Sequence, residues 1–203
     1  MRRDILRAWG NTLVMGILAL VASFFAVRAL RGGNGTTNAA LGTVSRVYED
    51  SAGPQLVLVY IGKSTCAWCR HRDLPGLLDT AQSRMTHFAT AQGISYASVA
   101  VSVDHSAHSG LSHLREVGAF TEYVAGGGWS GVSVAPYVWE HLPGQAATPQ
   151  VLVFYRWVSK SSAAGDPVLF TVDSIRQAGR FVGLREIAEW TRTGNPLPTF
   201  ASR

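Results

Sequence analysis

The stretch that decides the fold is LVLVYIGKSTCAWC, residues 56–69. Its first six residues are aliphatic or aromatic, a composition typical of a strand that is buried on both faces of a sheet. The residues GKST then lead into a Cys-Ala-Trp-Cys motif, and the residues beyond it have the apolar spacing of a helix. The order of strand, turn, cysteine pair and helix predicts a pair that cycles between dithiol and disulfide.

The motif contains the only two cysteines of the chain, Cys66 and Cys69. The sequence predicts Cys66 at the start of a helix, where unpaired backbone N–H groups and the helix dipole favour negative charge and hence the thiolate. Several basic residues lie nearby in sequence, within residues 63–72. We therefore expect Cys66 to be the nucleophile and Cys69 to be the resolving thiol that attacks a mixed disulfide.

Other uses of such a pair are a local structural disulfide, half of a zinc site and haem attachment. A structural zinc ion takes four ligands, and the chain has no second cysteine pair. Covalent c-type haem needs CxxCH, whereas Arg70 follows the second cysteine here. A second group of metal-like ligand types spans a loop and a predicted helix start and matches no metal-binding spacing: Asp104, His105, His108 and His113. We assign no cofactor and no metal, and a structural disulfide stays open as an alternative.

Residues 1–31 have the pattern of an N-terminal transmembrane anchor. Residues 8–27 read AWGNTLVMGILALVASFFAV, without a charge. A helix of about 20 residues spans about 30 Å, the hydrocarbon thickness of a bilayer. Three arginines precede the span and two follow it, a bias that indicates a cytoplasmic N-terminus and an exported body. A cleaved signal peptide is the alternative, but the apolar run is longer than such peptides usually have.

The basic character of the chain is concentrated beside this span. The whole chain carries 18 basic and 13 acidic residues, a net charge of +5, of which residues 1–31 contribute +4. Arginines at that position suit anionic lipid headgroups, and the nearly neutral remainder argues against nucleic-acid binding. The sequence therefore predicts contact of residues 8–27 with membrane lipid, protein partners, and no nucleic acid.

The exported part is predicted to be one domain. Residues 32–40, rich in glycine, asparagine and threonine, read as a flexible linker, and residues 41–203 have the length of a single domain. Apolar periodicity predicts strands at 55–61, 96–103, 150–155 and 168–172, and helices at 66–92, 109–123 and 184–192. We expect the first helix to be interrupted near Pro75, Ser109 to cap the second, and a polar connection at 160–166 to join the last two strands as a hairpin.

Three features occur together within residues 41–194: the strand–CxxC–helix order, Pro75 six residues after the second cysteine, and Thr148-Pro149 leading into a strand. In these features the chain resembles the thioredoxin-fold proteins. The resemblance implies an α/β fold, a three-layer α/β/α domain with a helical insert. It also implies that a cis bond at Thr148-Pro149 packs against the sulfurs. An ordinary trans proline is the alternative, since only about 5–6% of X–Pro bonds are cis in folded proteins. From its position between the two cysteines, Trp68 is expected to shield or present them.

The chain departs from that resemblance at two positions beside the cysteines. Thr65 stands where reductases of this fold usually carry an aromatic residue. Tyr60 stands about where they carry a buried acid that assists proton transfer from the second thiol, and no Asp or Glu lies between Gln55 and Cys69. These departures argue against efficient reductase turnover.

Residues 106–148 form a long insert compared with a minimal thioredoxin. It contains the sequences GGGW at 126–129 and YVW at 137–139. We interpret Trp129 and Trp139 as core residues. The alternative is an aromatic docking surface over the cysteines, because tryptophan is enriched in binding hot spots.

The sequence supports two functions. The first is a membrane-tethered periplasmic thiol–disulfide oxidoreductase of the bacterial inner membrane, acting on protein cysteines in a compartment where disulfides persist. The second is a non-enzymatic scaffold subunit of a larger membrane complex, respiratory or photosynthetic, since a fold does not dictate a function. The cysteine pair favours the first, and the missing acid and the insert favour the second. In both, we expect a single-pass protein with its N-terminus in the cytoplasm and its C-terminal domain in the periplasm.

Overall fold

The computed structural model describes residues 52–161 and 169–198. These residues form a five-stranded sheet with helices on its faces. The strands are β1 (Gly53–Gly62), β2 (Ser95–Ser102), β3 (Glu122–Ala125), β4 (Gln150–Ser161) and β5 (Leu169–Val182). The helices are α1 (Leu74–Gln92), α2 (Ala107–Val117), the single turn α3 (Ala135–Val138) and α4 (Gly183–Arg192). Two 3₁₀ turns cover Trp68–Arg70 and Gly128–Ser130.

The strands are ordered β3-β2-β1-β4-β5. The pairs β1–β2 and β2–β3 are parallel, whereas β4 runs antiparallel to both β1 and β5. Because Gly62 pairs with Ser102 and Ile61 with Gln150, the ends of β1 and β2 and the start of β4 lie at one edge of the sheet. The loop that carries the cysteines leaves β1 at this edge.

The alternation of side chains along β1 separates two cores. Leu56, Leu58 and Tyr60 face a cluster that α1, α2 and α4 complete, and their neighbours Val57, Val59 and Ile61 face a second cluster on the opposite side of the sheet. Residues of the insert cover that second face, and they are Val134, Val138 and Leu142. All six of these β1 side chains are fully buried, as the apolar run predicts for a central strand.

The structure confirms four strands at the predicted places and corrects two helices. The first helix begins only at Leu74, with Pro75 in its first turn, where the missing N–H of proline leaves no hydrogen bond unmade; Pro75 is therefore not a kink. The second helix is capped by Ser106 rather than Ser109. It ends at Val117 because the backbone at Gly118 is extended, and the chain then forms the unpredicted edge strand β3.

Two sequence predictions fall partly or wholly outside the described residues. The hairpin of β4 and β5 is present and its strands are longer than expected, but most of the predicted connection, 162–166, is not among the described residues. The anchor at 1–31 and the linker at 32–40 also lie outside them. Within 52–161 and 169–198, no helix has the length and apolarity needed to cross a bilayer.

Candidate functional site

The two cysteines lie in the loop after β1 and differ in exposure. Cys66 is partly exposed, whereas the side chain of Cys69 is only 1% exposed, and both are free thiols. The backbone N–H of Cys69 donates a hydrogen bond to Cys66 Sγ at 3.2 Å. A short 3₁₀ turn holds the motif, so Cys66 is not at the start of an α-helix as predicted. One directed N–H group, rather than the end of a long helix, faces its sulfur.

A second loop approaches the exposed sulfur from β4. The peptide bond Thr148-Pro149 is cis, as the resemblance implies, and Pro149 is buried directly before the strand. The carbonyl oxygen of Thr148 lies 3.5 Å from Cys66 Sγ and accepts a hydrogen bond from the thiol. A strand, a CxxC loop, a parallel β1–α1–β2 crossover and a cis-proline loop beside the sulfurs thus occur together. The fold is thioredoxin-like.

The buried thiol is held in its protonated form. Burial first, and then the hydrogen bond shared with Cys66, raise the pKa of Cys69 to about 12. A thiol with so high a pKa is a poor nucleophile until its proton is removed. The two sulfurs are therefore suited to different roles. Cys66 is reachable from solvent, whereas Cys69 is buried beneath it and protonated.

Tyr60 extends from β1 beneath the cysteine loop. Its hydroxyl is fully buried and lies 3.4 Å from Nε2 of His113, a 4% exposed residue of α2. Burial, followed by the charge of Cys69 and a hydrogen bond shared with that thiol, raises the pKa of Tyr60 well above its ordinary value. Tyr60 therefore stays protonated and connects the resolving thiol to His113.

Asp104, two residues after the end of β2, holds the cysteine loop in place. Its carboxylate accepts hydrogen bonds from the Ser64 backbone N–H at 2.9 Å, the Ser64 hydroxyl at 2.7 Å and the Ser102 hydroxyl at 2.6 Å. Burial opposes ionisation, but the hydrogen bonds from Ser102 and Ser64 and the nearby His113 outweigh it and lower the pKa of Asp104. The carboxylate is thus charged near His113. The cysteine loop and the loop after β2 meet because the parallel strands β1 and β2 end at the same edge of the sheet.

A different polar network holds the cis-proline loop. Gln150 donates from Nε2 to the carbonyls of Gln145 and Ala147 at 3.1 and 2.7 Å, and its Oε1 accepts from Arg180 at 2.6 Å. Arg180 also donates to the carbonyls of Tyr137 and Leu142 at 2.8 and 2.6 Å. This network joins the insert to the residues directly before Thr148-Pro149 and so positions the second loop of the site.

Trp68 points away from the core. Its side chain is 60% exposed and lines an apolar pocket of about 420 Å³ with Leu77, Leu184 and Ala188, which we call the Trp68 groove. Of the two roles implied for Trp68, presenting the site to a partner agrees better with this exposure than shielding the sulfurs does.

The sequence interpretation gave Asp104 and His113 no role at the site, although residue 113 falls within its predicted helix at 109–123. His113 is in fact on the buried face of α2 with Gly110, Leu114 and Val117. The signal was present, because the spacing 110, 113, 114, 117 is that of an apolar helical stripe, and a histidine within such a stripe is directed toward the core. The neighbouring His105 and His108 are exposed; His105 lies in the loop after β2, whereas His108 is in the first turn of α2. Among the described residues no group of three or more His, Cys, Asp or Glu side chains is arranged to hold a metal ion.

The two insert tryptophans behave differently. Trp129 packs against the second core cluster, as the core interpretation predicts. Trp139 is 53% exposed and donates from its indole nitrogen to the Trp129 carbonyl at 2.8 Å. The core interpretation is therefore wrong for Trp139, and its role in docking stays a prediction.

Comparison with solved structures gives two distant neighbours. One is a protein described as the thiol:disulfide interchange protein DsbE from Chlorobium tepidum, with 20% identity, a TM-score of 0.31, and coverage of 52% of this chain and 62% of that structure. The other is ScoI from Arabidopsis thaliana with copper bound, with 14% identity, a TM-score of 0.37, and coverage of 72% and 84%. This chain therefore spans less than two thirds of the DsbE structure. No protein-family model and no curated protein matches the chain.

Proposed function

We propose that this protein is a thiol–disulfide oxidoreductase that exchanges its Cys66–Cys69 pair with disulfides of protein substrates. One observation carries the proposal: a partly exposed sulfur lies between the Cys69 N–H group and the Thr148 carbonyl, with a second, buried thiol directly beneath it. A structural disulfide does not need an accessible sulfur. An attacking sulfur does, and a resolving thiol must lie next to it so that it can attack the mixed disulfide.

The reaction has two steps and moves two electrons. The Cys66 thiolate attacks a substrate disulfide, forms a mixed disulfide and releases one substrate thiol. Cys69 then loses its proton and attacks Cys66 Sγ, which forms the intramolecular disulfide and releases the second substrate thiol. The substrate disulfide is reduced and the cysteine pair is oxidised, and a dithiol of a second protein returns the pair to its starting state by the reverse exchange.

The surroundings of the pair support a protein substrate. The Trp68 groove offers exposed apolar surface next to the sulfurs, and tryptophan contributes strongly to protein interfaces. We place the reaction on the periplasmic side of the bacterial inner membrane, with residues 8–27 as the tether. The charge-free span and its arginine flanks support this location.

Trapping the mixed disulfide tests the activity. Full-length chain with Cys69→Ala, expressed in a bacterial host, should accumulate adducts that migrate separately on a non-reducing gel and disappear with reductant. The Cys66→Ser, Cys69→Ala double variant is the matched control and should give none. Purified wild-type chain should also reduce insulin disulfides with a dithiol donor, and Cys66→Ser should not.

The scaffold function makes the opposite prediction. No reducible adduct would form, insulin would stay oxidised, and the Cys66→Ser variant would co-purify with a membrane complex as wild type does. That set of results would overturn the oxidoreductase proposal. For the location, a membrane-impermeant maleimide should label Cys66 in cells with a permeabilised outer membrane; labelling only after lysis of the inner membrane would refute it.

A further inference from the structure

The resolving step leaves one question of chemistry open at this site. Cys69 is buried and protonated, so its proton needs an acceptor when the thiol attacks the mixed disulfide. No carboxylate occurs between Gln55 and Cys69 in the sequence. The groups next to the thiol are instead the Tyr60 hydroxyl, which shares a hydrogen bond with it, and Nε2 of His113, which lies 3.4 Å from that hydroxyl.

We propose that Tyr60 and His113 form a proton path that serves the resolving thiol. The inference deepens the oxidoreductase function and rests on it. Tyr60 shares a hydrogen bond with the reacting thiol and is the catalytic residue of the pair; His113 acts through Tyr60 and is a positioning residue. Asp104 orients the path by its charge and by its hydrogen bonds to the cysteine loop.

The proton transfer can be written step by step. The Cys69 proton passes to the Tyr60 oxygen while the Tyr60 proton passes to Nε2 of His113, in the tautomer that carries its proton on Nδ1. The Cys66–Cys69 bond forms and the bond from Cys66 to the substrate breaks. The substrate thiolate leaves and takes a proton from solvent, and the His113 imidazolium returns its proton to solvent.

The surroundings of His113 keep its imidazole able to accept the proton and give that proton a route to solvent. Burial lowers the pKa of His113, against the opposing effect of Asp104 and Glu116, with a further decrease from Arg70. The imidazole is therefore neutral at neutral pH and able to accept a proton. It also lines a surface pocket of about 320 Å³ together with Ser64, Arg70 and Glu116, through which the proton reaches water.

Acid-quenched rapid mixing separates the two steps. Reduced full-length chain is mixed with a peptide disulfide, and mass spectrometry follows first the appearance and then the decay of the Cys66 mixed disulfide. Tyr60→Phe and His113→Gln are tested as separate variants. In each, we expect the mixed disulfide to form at a rate within about twofold of wild type and to decay about tenfold more slowly or slower still, as for loss of a general base. The matched controls are Tyr96→Phe in the same core and His108→Gln, exposed on the same helix; both should decay at the wild-type rate.

The pH profile of the decay distinguishes a proton path from a packing role. The groups facing His113 are Tyr60, Asp104, Glu116 and Arg70. Protonation of His113 should produce an acid limb in the decay rate. Arg70→Gln should shift this limb to higher pH and Glu116→Gln to lower pH, because the two charges act on the histidine with opposite sign. Both side chains are exposed, so neither change threatens folding.

The outcomes separate the two proposals. A wild-type chain that forms no mixed disulfide refutes the oxidoreductase function itself. A wild-type chain that forms and resolves it, with Tyr60→Phe resolving equally fast, overturns only the proton path. Acid limbs that do not move with Arg70→Gln and Glu116→Gln would likewise exclude His113 as the acceptor.

Discussion

Two polar networks flank the cysteine pair at the same edge of the sheet, and they are built differently. On one face, Arg180 donates to Gln150 and to two backbone carbonyls at 2.6–2.8 Å. On the other, Tyr60, His113 and Asp104 are joined by a long 3.4 Å contact and by charge. The first network has a donor that stays protonated and acceptors that do not titrate. The second contains an ionisable histidine and carboxylate, together with the Tyr60 hydroxyl that links the histidine to the resolving thiol.

The difference indicates that the two networks have different roles, one structural and one in proton transfer. The Arg180 network fixes the segment before Pro149, and a fixed network is suited to position. The network of Tyr60, His113 and Asp104 lies beneath the sulfur that must lose a proton, and a titratable network is suited to chemistry. Removing a member of the first should therefore cost mainly stability, and perturbing the second should change rates and pH dependence.

The largest expected effect is on stability, from Arg180→Met. The replacement keeps much of the side-chain volume but leaves Gln150 Oε1 and the Tyr137 and Leu142 carbonyls without their donor, so we expect a loss of about 3 kcal/mol in the free energy of unfolding. Urea denaturation of the full-length chain in mild detergent, followed by tryptophan fluorescence, measures it. The matched control is Arg176→Met on the same strand, whose exposed guanidinium lies 5.2 Å from the centre of the Tyr155 ring. A loss no larger for Arg180→Met than for this control would contradict the assigned role.

A smaller loss of stability is expected from Gly62→Ala. This change disturbs the network of Tyr60, His113 and Asp104 without removing any of its side chains. A Cβ at Gly62 would collide with the Tyr60 hydroxyl, and the fully buried ring has little room to yield. We expect about 2 kcal/mol of destabilisation from overpacking, and slower decay of the mixed disulfide because the hydroxyl moves away from His113. Gly76→Ala, where a Cβ meets nothing within 4 Å, is the control. Wild-type stability and decay for Gly62→Ala would show that the hydroxyl position does not matter.

The sequence predicted the cysteine loop and the cis-proline loop better than it predicted the two networks that support them. The apolar run of β1, the CxxC loop and Thr148-Pro149 have local signatures, so the sulfurs and the proline loop could be predicted to meet. Tyr60 was recognised as standing in the place of an acid, but its partner was not. Asp104 and His113 come from a different strand and helix, and only the parallel pairing of β1 with β2 brings them under the cysteines. Arg180 and Gln150 are 30 residues apart and meet through the β4–β5 pairing; the hairpin was predicted, but its second strand was expected to end at residue 172, well before Arg180.

The smallest expected effect is on the pH dependence of the free energy of unfolding, which should differ between variants of the two networks. The pKa of His113 is lowered in the folded chain, so below about pH 6.5 the unfolded chain binds a proton that the folded chain does not. Stability should fall as the pH drops from there toward the folded pKa, by at most about 1.4 kcal/mol per pH unit. Asp104, whose folded pKa is also lowered, contributes stability that is lost only at more acidic pH, as the pH falls through that folded value.

Urea denaturation between pH 5 and 8 measures this slope. His113→Gln should flatten it, whereas Arg180→Met should lower stability equally at every pH and leave the slope intact, because arginine does not titrate there. If His113→Gln and wild type show the same slope, the histidine exchanges protons equally in both states, and the contrast between a fixed and a titratable network is lost.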